Sequence, residues 1–432
     1  MPLRILHLSD IHFQSGYAWD PDGDLRSEVV RDVRALVESG GQLDAVLIGG
    51  DIAFSAHPDE YAVATAWIGE VLEAAGNLMS SRVWTVPGNH DVSRSVLNAS
   101  GDAQRFREAM RACEVSAIDH ELRERIAKDP AAAGLMLPLA EYNRFAEQFL
   151  CTTRAGSLAW RDTSLSIDGW TVSLTGINSV MNSDSTDSKA TLVVGTHQCQ
   201  LPRAIDTVHI AMLHHPPSWV RDWKTIEPYL NRAHLALFGH EHAFEATQRV
   251  PHGTVSVSAG AVAPERDEHG EIEPFVPTFN LISLSRTDDD RLKVEIRTRY
   301  WSISGTRFDE HPGGTSTFFV DLDPALSDDG ASNVLDIPGV GEVIASSSPL
   351  ISNAEDLAVG KPQEDPGSRQ SLRAIGVQYL ALPVFRRLDI ARALGVIQDD
   401  DVQLPPAELY PLILRRVRDA ELVEDLVMEM TR

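Results

Sequence analysis

Aspartates and histidines gather in five short segments of this chain: Asp10-Ile11-His12, Gly50-Asp51, Gly88-Asn89-His90-Asp91, His214-His215-Pro216 and Gly239-His240-Glu241-His242. Together they offer carboxylate oxygens, imidazole nitrogens and one amide oxygen. Such a mixed set suits Mn²⁺, Fe²⁺ or Zn²⁺, whereas calcium takes oxygen ligands alone and structural zinc prefers thiolates. The candidates outnumber what one tetrahedral ion can use and are about what two require. Two ions roughly 3.5–4 Å apart can share a carboxylate, activate a water and clamp a phosphoryl group. A single segment could be plain turn chemistry, Gly-Asn above all. Five in this order, each directly behind an apolar run, are not accounted for by turns.

Those apolar runs are the elements that must position the donors. Ile5–Leu8, Ala45–Ile48 and Val83–Val86 read as short strands. Val29, Val30, Val33, Leu36 and Val37 recur at helical spacing before Gly40-Gly41, and Tyr61, Ile68, Val71 and Leu72 give a second helix. This is the βαβ rhythm of a sheet with crossover helices, which places each segment on a loop at the carboxyl end of a strand, where open α/β sheets bind their ligands. Residues 102–150 are helical and polar, as in an insertion. Val172–Ile177, His209–Leu213, Leu235–Phe238 and Thr254–Val257 predict further strands, and Leu281–Ser285 with Leu292–Ile296 a late hairpin. The catalytic unit is expected over residues 1–326. Residues 327–368, rich in Gly, Pro and Ser, read as a linker, and residues 369–432 as a small helical domain with Pro405-Pro406 opening its last helix.

Composition narrows the function. The 432 residues carry 38 basic and 63 acidic side chains, a net charge of −25, which disfavours a long polyanion-tracking groove and leaves small phosphoesters open. The 43% apolar content is enough for a real core. Three cysteines without paired spacing point away from a disulfide framework and towards a reducing, cytoplasmic setting; no signal-peptide or membrane-spanning run is present.

The segments SDIH, GGD, PGNHD, HHPP and GHEH together resemble the calcineurin-like metallophosphoesterase superfamily, bacterial type, over about Leu3 to Val257. The resemblance implies a four-layer α/β/β/α sandwich with a dinuclear metal centre at one edge, loaded with Mn²⁺ first and Fe²⁺, Zn²⁺ or Ni²⁺ as alternatives. Carried over position by position, it implies Asp10, His12 and His242 on one ion, Asn89, His214 and His240 on the other, and Asp51 bridging both. His214 is preferred to His215 because the family's ligand stands two residues before a proline. His90 resembles the group that protonates the leaving oxygen, with Asp91 orienting its imidazole, and Arg94 is a candidate phosphate contact. Asn178 and His215 are candidates for the layer behind the ligands, and His209 for a core histidine.

Departures narrow the branch. Purple acid phosphatases need a tyrosine where Phe54 stands, and Ser/Thr protein phosphatases carry Asp-Arg-Gly where Phe54, Ser55 and Ala56 stand and a glutamate where Asp91 stands. The resemblance thus implies a phosphodiesterase acting on nucleotides or nucleic acid through a hydroxide shared by the ions, with His90 as general acid. Two alternatives stay open: a metal-dependent nuclease effector of a bacterial defence system, and an interaction protein whose metal site senses a ligand. The C-terminal segment weakly resembles helical adaptor domains of such systems, which implies a protein partner; equally, it could simply pack on the catalytic unit.

Overall fold

Leu3–Leu8 (β1), Ala45–Ile48 (β2) and Val83–Thr85 (β3) are nearly all buried and pair in parallel, so their carboxyl ends lie on one edge. This is seen in a computed structural model of the chain, which describes residues 1–16, 20–127, 132–249, 253–263, 275–322, 372–398, 401, 404 and 406–431. The helices Gly23–Gly40 and Pro58–Ala74 make the crossovers, at the places where helical spacing predicts them.

The second sheet is built from Trp160–Ile167 (β4), Trp170–Gly176 (β5), Thr207–Met212 (β6), Leu235–Phe238 (β7), Glu245–Gln248 (β8) and Val255–Ser258 (β9), in the order β4-β5-β6-β7-β9-β8. Its central strands are buried on both faces, which is why they read as unbroken apolar runs rather than alternating ones. Ile210, Met212, Leu235 and Leu237 enter the large core between the sheets; Ala211, Leu213, Ala236 and Phe238 alternate to the other side and meet Ile226 and Leu230 of the helix Trp223–Leu230. Thr278–Arg286 (β10), Arg291–Ser302 (β11) and Arg307–Asp321 (β12) complete the first sheet in the order β12-β11-β10-β1-β2-β3. Two six-stranded mixed sheets thus lie between helical layers, the expected sandwich. Strands β4, β8 and β12 were not foreseen. β8 and β12 are sheet edges with largely solvated side chains, so they carry little apolar periodicity.

The expected linker, residues 327–368, lies outside the described residues. Beyond it, each of the two predicted helical stretches is split, giving helices Leu372–Leu380, Val384–Ala393, Pro406–Asp419 and Val423–Thr431 around one apolar cluster. The last break is a Schellman-type end in which Leu422 N–H bonds Val417 O and Glu421 takes φ 57°; without a glycine there, the sequence gives no stop signal. These helices rest on the two-sheet sandwich. Arg373, 8% exposed, donates to the carbonyls of Ser81 (2.9 Å), Val83 (2.7 Å) and Phe149, lies 4.5 Å from the centre of the Trp84 ring, and faces Asp162 at 3.5 Å. Leu150 adds an apolar contact to the same bundle. Arg373→Met should cost about 2–4 kcal/mol, because three buried carbonyls and one carboxylate lose their donor. A melting temperature unchanged from wild type would show instead that the apolar seam alone carries the docking.

Candidate metal centre

The five donor segments follow β1, β2, β3, β6 and β7, and the sandwich brings them to one edge. The loops after β1 and β2 are stitched together first: Asp10 N–H donates to Gly50 O (3.0 Å), and Ile11 and His12 both donate to Asp51 O (2.9 and 3.0 Å). Asp10, His12, Asp51, His240 and His242 all have left-handed backbones, with φ of 55°, 52°, 49°, 72° and 53°. Each costs on the order of 1–3 kcal/mol, a strain that the surrounding fold must hold in place and that gathers at functional sites. The motif glycines have a steric reason. A Cβ on Gly88 would stand 2.1 Å from Asp51 Oδ1, and one on Gly239 2.2 Å from Ser9 Oγ and 2.9 Å from Asp10 Oδ2.

All seven expected ligands converge. His242 Nε2 is 3.2 Å from Asp10 Oδ1, and His12 Nε2 is 3.6 Å from Asp51 Oδ2. On the other side, His214 Nε2 is 3.1 Å from both Asp51 Oδ2 and Asn89 Oδ1, and His240 Nδ1 is 3.0 Å from Asn89 Oδ1. Ligand atoms of Asp10, His12 and His242 lie within 4.8 Å of one another, and so do those of Asp10, Asp51 and His214. The imidazoles are aimed from behind: His214 donates through Nδ1 to Gly49 O (2.8 Å) and His12 through Nδ1 to Ala263 O (3.1 Å). That fixes the tautomer and turns each Nε2 lone pair inwards, as second partners of metal-binding histidines do. His12 Nε2 is fully buried and, among the described residues, has no hydrogen-bond partner, Asp51 Oδ2 standing just beyond reach at 3.6 Å. A buried nitrogen left unpaired beside a carboxylate is what a donor reserved for a cation looks like, so the residues fit a pair of divalent ions.

Electrostatics point the same way. Burial alone would raise the Asp51 and Asp10 carboxyls, but the facing imidazoles, His214 foremost, hold both well below the usual range. Burial would lower His214, yet the Asp51 and Asp10 carboxylates outweigh it and raise the imidazole to about 9. His240, desolvated and next to His214, is pushed down to about 3. The His214 charge therefore supports the metal-free fold fully below its ordinary value of 6.5, and that support is lost as pH rises through about 9. A cation must displace this proton. Mn²⁺ binding at pH 7 should release protons and tighten as pH climbs towards 9. Calorimetry in buffers of different ionisation enthalpy would read this; a heat independent of buffer would refute it.

His90 sits half-buried at the rim. Its backbone N–H donates to Asp51 Oδ1 (2.7 Å) and its Nδ1 to Phe54 O (2.7 Å). The fully buried Asp91 carboxylate, expected to orient His90, accepts from the backbone of Gly88 (2.9 Å), Ala53 (3.1 Å) and Ile52 (3.3 Å) and from the Tyr61 hydroxyl (2.8 Å). Burial and then the nearby Asp51 charge push it up to about 6. Arg94, half-buried, donates through Nη2 to Asn89 O (3.3 Å), and its buried Nη1 has no hydrogen-bond partner among the described residues. His215 offers a ligand atom within 4.8 Å of those of His214 and His240; its ring lies 4.8 Å from His214 and 4.5 Å from His240, with Nδ1 3.0 Å from Ser179 Oγ. Asn178 turns away, bonding Thr153 and Val180.

Sequence reading missed five supports. Tyr61 counted only as a helical core position, because its hydroxyl's partner lies thirty residues on. The carbonyls of Phe54 and Ala263 carry no sequence signal at all. Arg107 and Arg111, on the insertion helix Gly101–Ala112, tie it to the loop after β5 through Ser183 O (2.9 Å), Asp184 (2.9 Å) and Asp187 (2.8 Å).

Comparison with known proteins gives one family. Residues 3–244 match the model of the calcineurin-like phosphoesterases. Among the curated proteins none matches the chain. Similar solved structures include Vps29 of Entamoeba histolytica complexed with zinc (12% identity, 74% of this chain and 99% of that one, TM-score 0.29) and a predicted phosphoesterase of Streptococcus pneumoniae TIGR4 (12%, 74% and 98%, TM-score 0.29). A third is the purple acid phosphatase PPD1 of yellow lupin (14%, 74% and 54%, TM-score 0.40).

Proposed function

The chain belongs to the calcineurin-like phosphoesterase family, and on that footing we propose that it is a two-metal phosphodiesterase acting on nucleotides or nucleic acid. The observation that supports this reading is the convergence of Asp10, His12, Asp51, Asn89, His214, His240 and His242 from five loops into overlapping groups of buried and half-buried donors. In it, Asp10, His12 and His242 would hold one ion, Asn89, His214 and His240 the other, and Asp51 would be shared. Mn²⁺ is the first choice, since an oxygen and nitrogen set without thiolate suits it. Bound there, the ions supply Lewis acidity and lower the pKa of the attacking water.

The chain's own residues do the rest. Asp51 concentrates negative charge between the two histidine groups and takes the His90 amide, which fixes the rim against the centre. With Nδ1 bonded to the Phe54 carbonyl, His90 would act through Nε2, giving a proton to the departing oxygen. No covalent intermediate is needed, so no nucleophilic Ser or Cys takes part. Arg94 holds a free donor behind Asn89 and serves a phosphoryl oxygen. The three cysteines are free thiols, which supports a reducing, cytoplasmic setting. No described helix is long and apolar enough to cross a membrane.

The test is hydrolysis of bis(p-nitrophenyl) phosphate by metal-stripped protein with and without added Mn²⁺, followed by cyclic nucleotides, dinucleotides, single-stranded DNA and RNA. Activity that appears only with metal is the expected result. Failure on the whole panel with Mn²⁺, Ni²⁺ and Zn²⁺ in turn would dismiss the enzymatic reading. Polynucleotide cleavage that weakens steeply with salt would shift the assignment to the nuclease alternative.

A further inference from the structure

We propose that Tyr61 is a positioning residue for the metal-holding loops, acting through Asp91; the inference rests on the two-metal reading above. The Asp91 carboxylate is 0% exposed and uses both oxygens twice. Oδ1 accepts from Ala53 N and the Tyr61 hydroxyl, and Oδ2 from Ile52 N and Gly88 N. Two of those amides follow Asp51 and one precedes Asn89, so this one carboxylate joins the loops that carry the shared ligand, the amide ligand and His90. Backbone amides move with their loops. Tyr61 is the donor among the four that is anchored elsewhere.

That anchorage is double. Tyr61 stands at the start of the helix Pro58–Ala74, whose beginning is fixed by a capping box: His57 accepts from Asp59 N (3.3 Å), and Glu60 accepts from the backbone of His57 (3.0 Å) and Ser55 (2.9 Å). Its ring also stacks on Phe145 of the helix Ala140–Glu147, with centroids 5.2 Å apart and planes at 29°. The hydroxyl is thus a fixed point from which the Asp91 plane, and through it the spacing of the two loops, is set. Without it, Oδ1 keeps one amide and the carboxylate can turn. The loops then lose their common reference, and the cost falls on metal affinity before it falls on the chemical step.

The experiment uses the metal-stripped full chain and Mn²⁺ itself. Calorimetric titration of Tyr61→Phe, which keeps the stacked ring, should give Mn²⁺ binding about tenfold weaker than wild type, the scale of losses when a ligand's support is removed. On bis(p-nitrophenyl) phosphate, kcat should fall in parallel at limiting Mn²⁺ and recover at excess, with KM within about twofold throughout. Phe145→Leu, which keeps the hydroxyl but removes one of its two anchors, should weaken Mn²⁺ binding by less than Tyr61→Phe does. A cycle with Asp91→Asn gives a second readout: the two losses should be non-additive, as for residues in one network. Mn²⁺ affinity unchanged in Tyr61→Phe, or full additivity with Asp91→Asn, would overturn the proposal while wild type still binds metal. A wild type that takes up no Mn²⁺ would overturn the two-metal reading and this inference with it.

Discussion

Asp51→Asn is expected to lower kcat on bis(p-nitrophenyl) phosphate by at least about 10³-fold, a loss of ~4 kcal/mol of transition-state stabilisation. The substitution keeps shape and volume, so the change isolates charge. Asp51 is 1% exposed, and its carboxylate lies 3.6 Å from His12 and 3.1 Å from His214, the imidazoles on either side of the centre. Its carboxylate stands nearer to His214 than that of Asp10 does, 3.1 Å against 4.0 Å, and also faces His12. An amide keeps an oxygen for the His90 N–H but carries no charge to hold two cations side by side. Elemental analysis of reconstituted protein should therefore find metal uptake reduced along with the rate. Equal rates and equal metal content in variant and wild type would end the case for a two-ion centre.

The second large effect belongs to His90. Its removal in His90→Ala should leave metal uptake close to wild type, because Nδ1 is spent on the Phe54 carbonyl and the expected ligand sets are complete without it. The chemical step should slow by about 10²–10⁴-fold, the range for a positioned proton donor. The loss should depend on the leaving group. p-Nitrophenolate departs readily without a proton, so its ester should be affected least, and a phosphodiester with an alkoxide leaving group most. KM should change little. The arrangement admits one competing role, since His90 also shares a group of neighbouring donor atoms with His12 and Asp51. A fall in metal affinity, or a loss that ignores leaving-group pKa, would make His90 a ligand rather than an acid.

The two variants differ in what they spare. Asp51→Asn should impair metal binding and rate together, whereas His90→Ala should separate them. Arg373→Met lies outside both: it bears on how the C-terminal helices are held and not on the centre, since its partners Ser81 and Val83 sit at the start of β3 and the ligands follow its end.

The sequence by itself determined the donor types of the candidate centre and their place at the ends of strands. Donor type is fixed by residue identity, and the apolar runs before Asp10, Asp51, Asn89, His214 and His240 are local signals that survive without any knowledge of the fold. Burial on both faces made β6 and β7 legible, while the solvated edges β8 and β12 left no such mark. Tertiary structure alone decided what each side chain leans on. Asp91 adjoins His90 in the chain, yet its carboxylate serves amides 38 and 39 residues away and the Tyr61 hydroxyl. Tautomers are set by the carbonyls of Gly49, Phe54 and Ala263, which every residue possesses and no spacing can reveal. Arg373 finds its carbonyls more than two hundred residues upstream. Such contacts arise only when separate strands and helices are packed together, because the partner is chosen by geometry and not by distance along the chain.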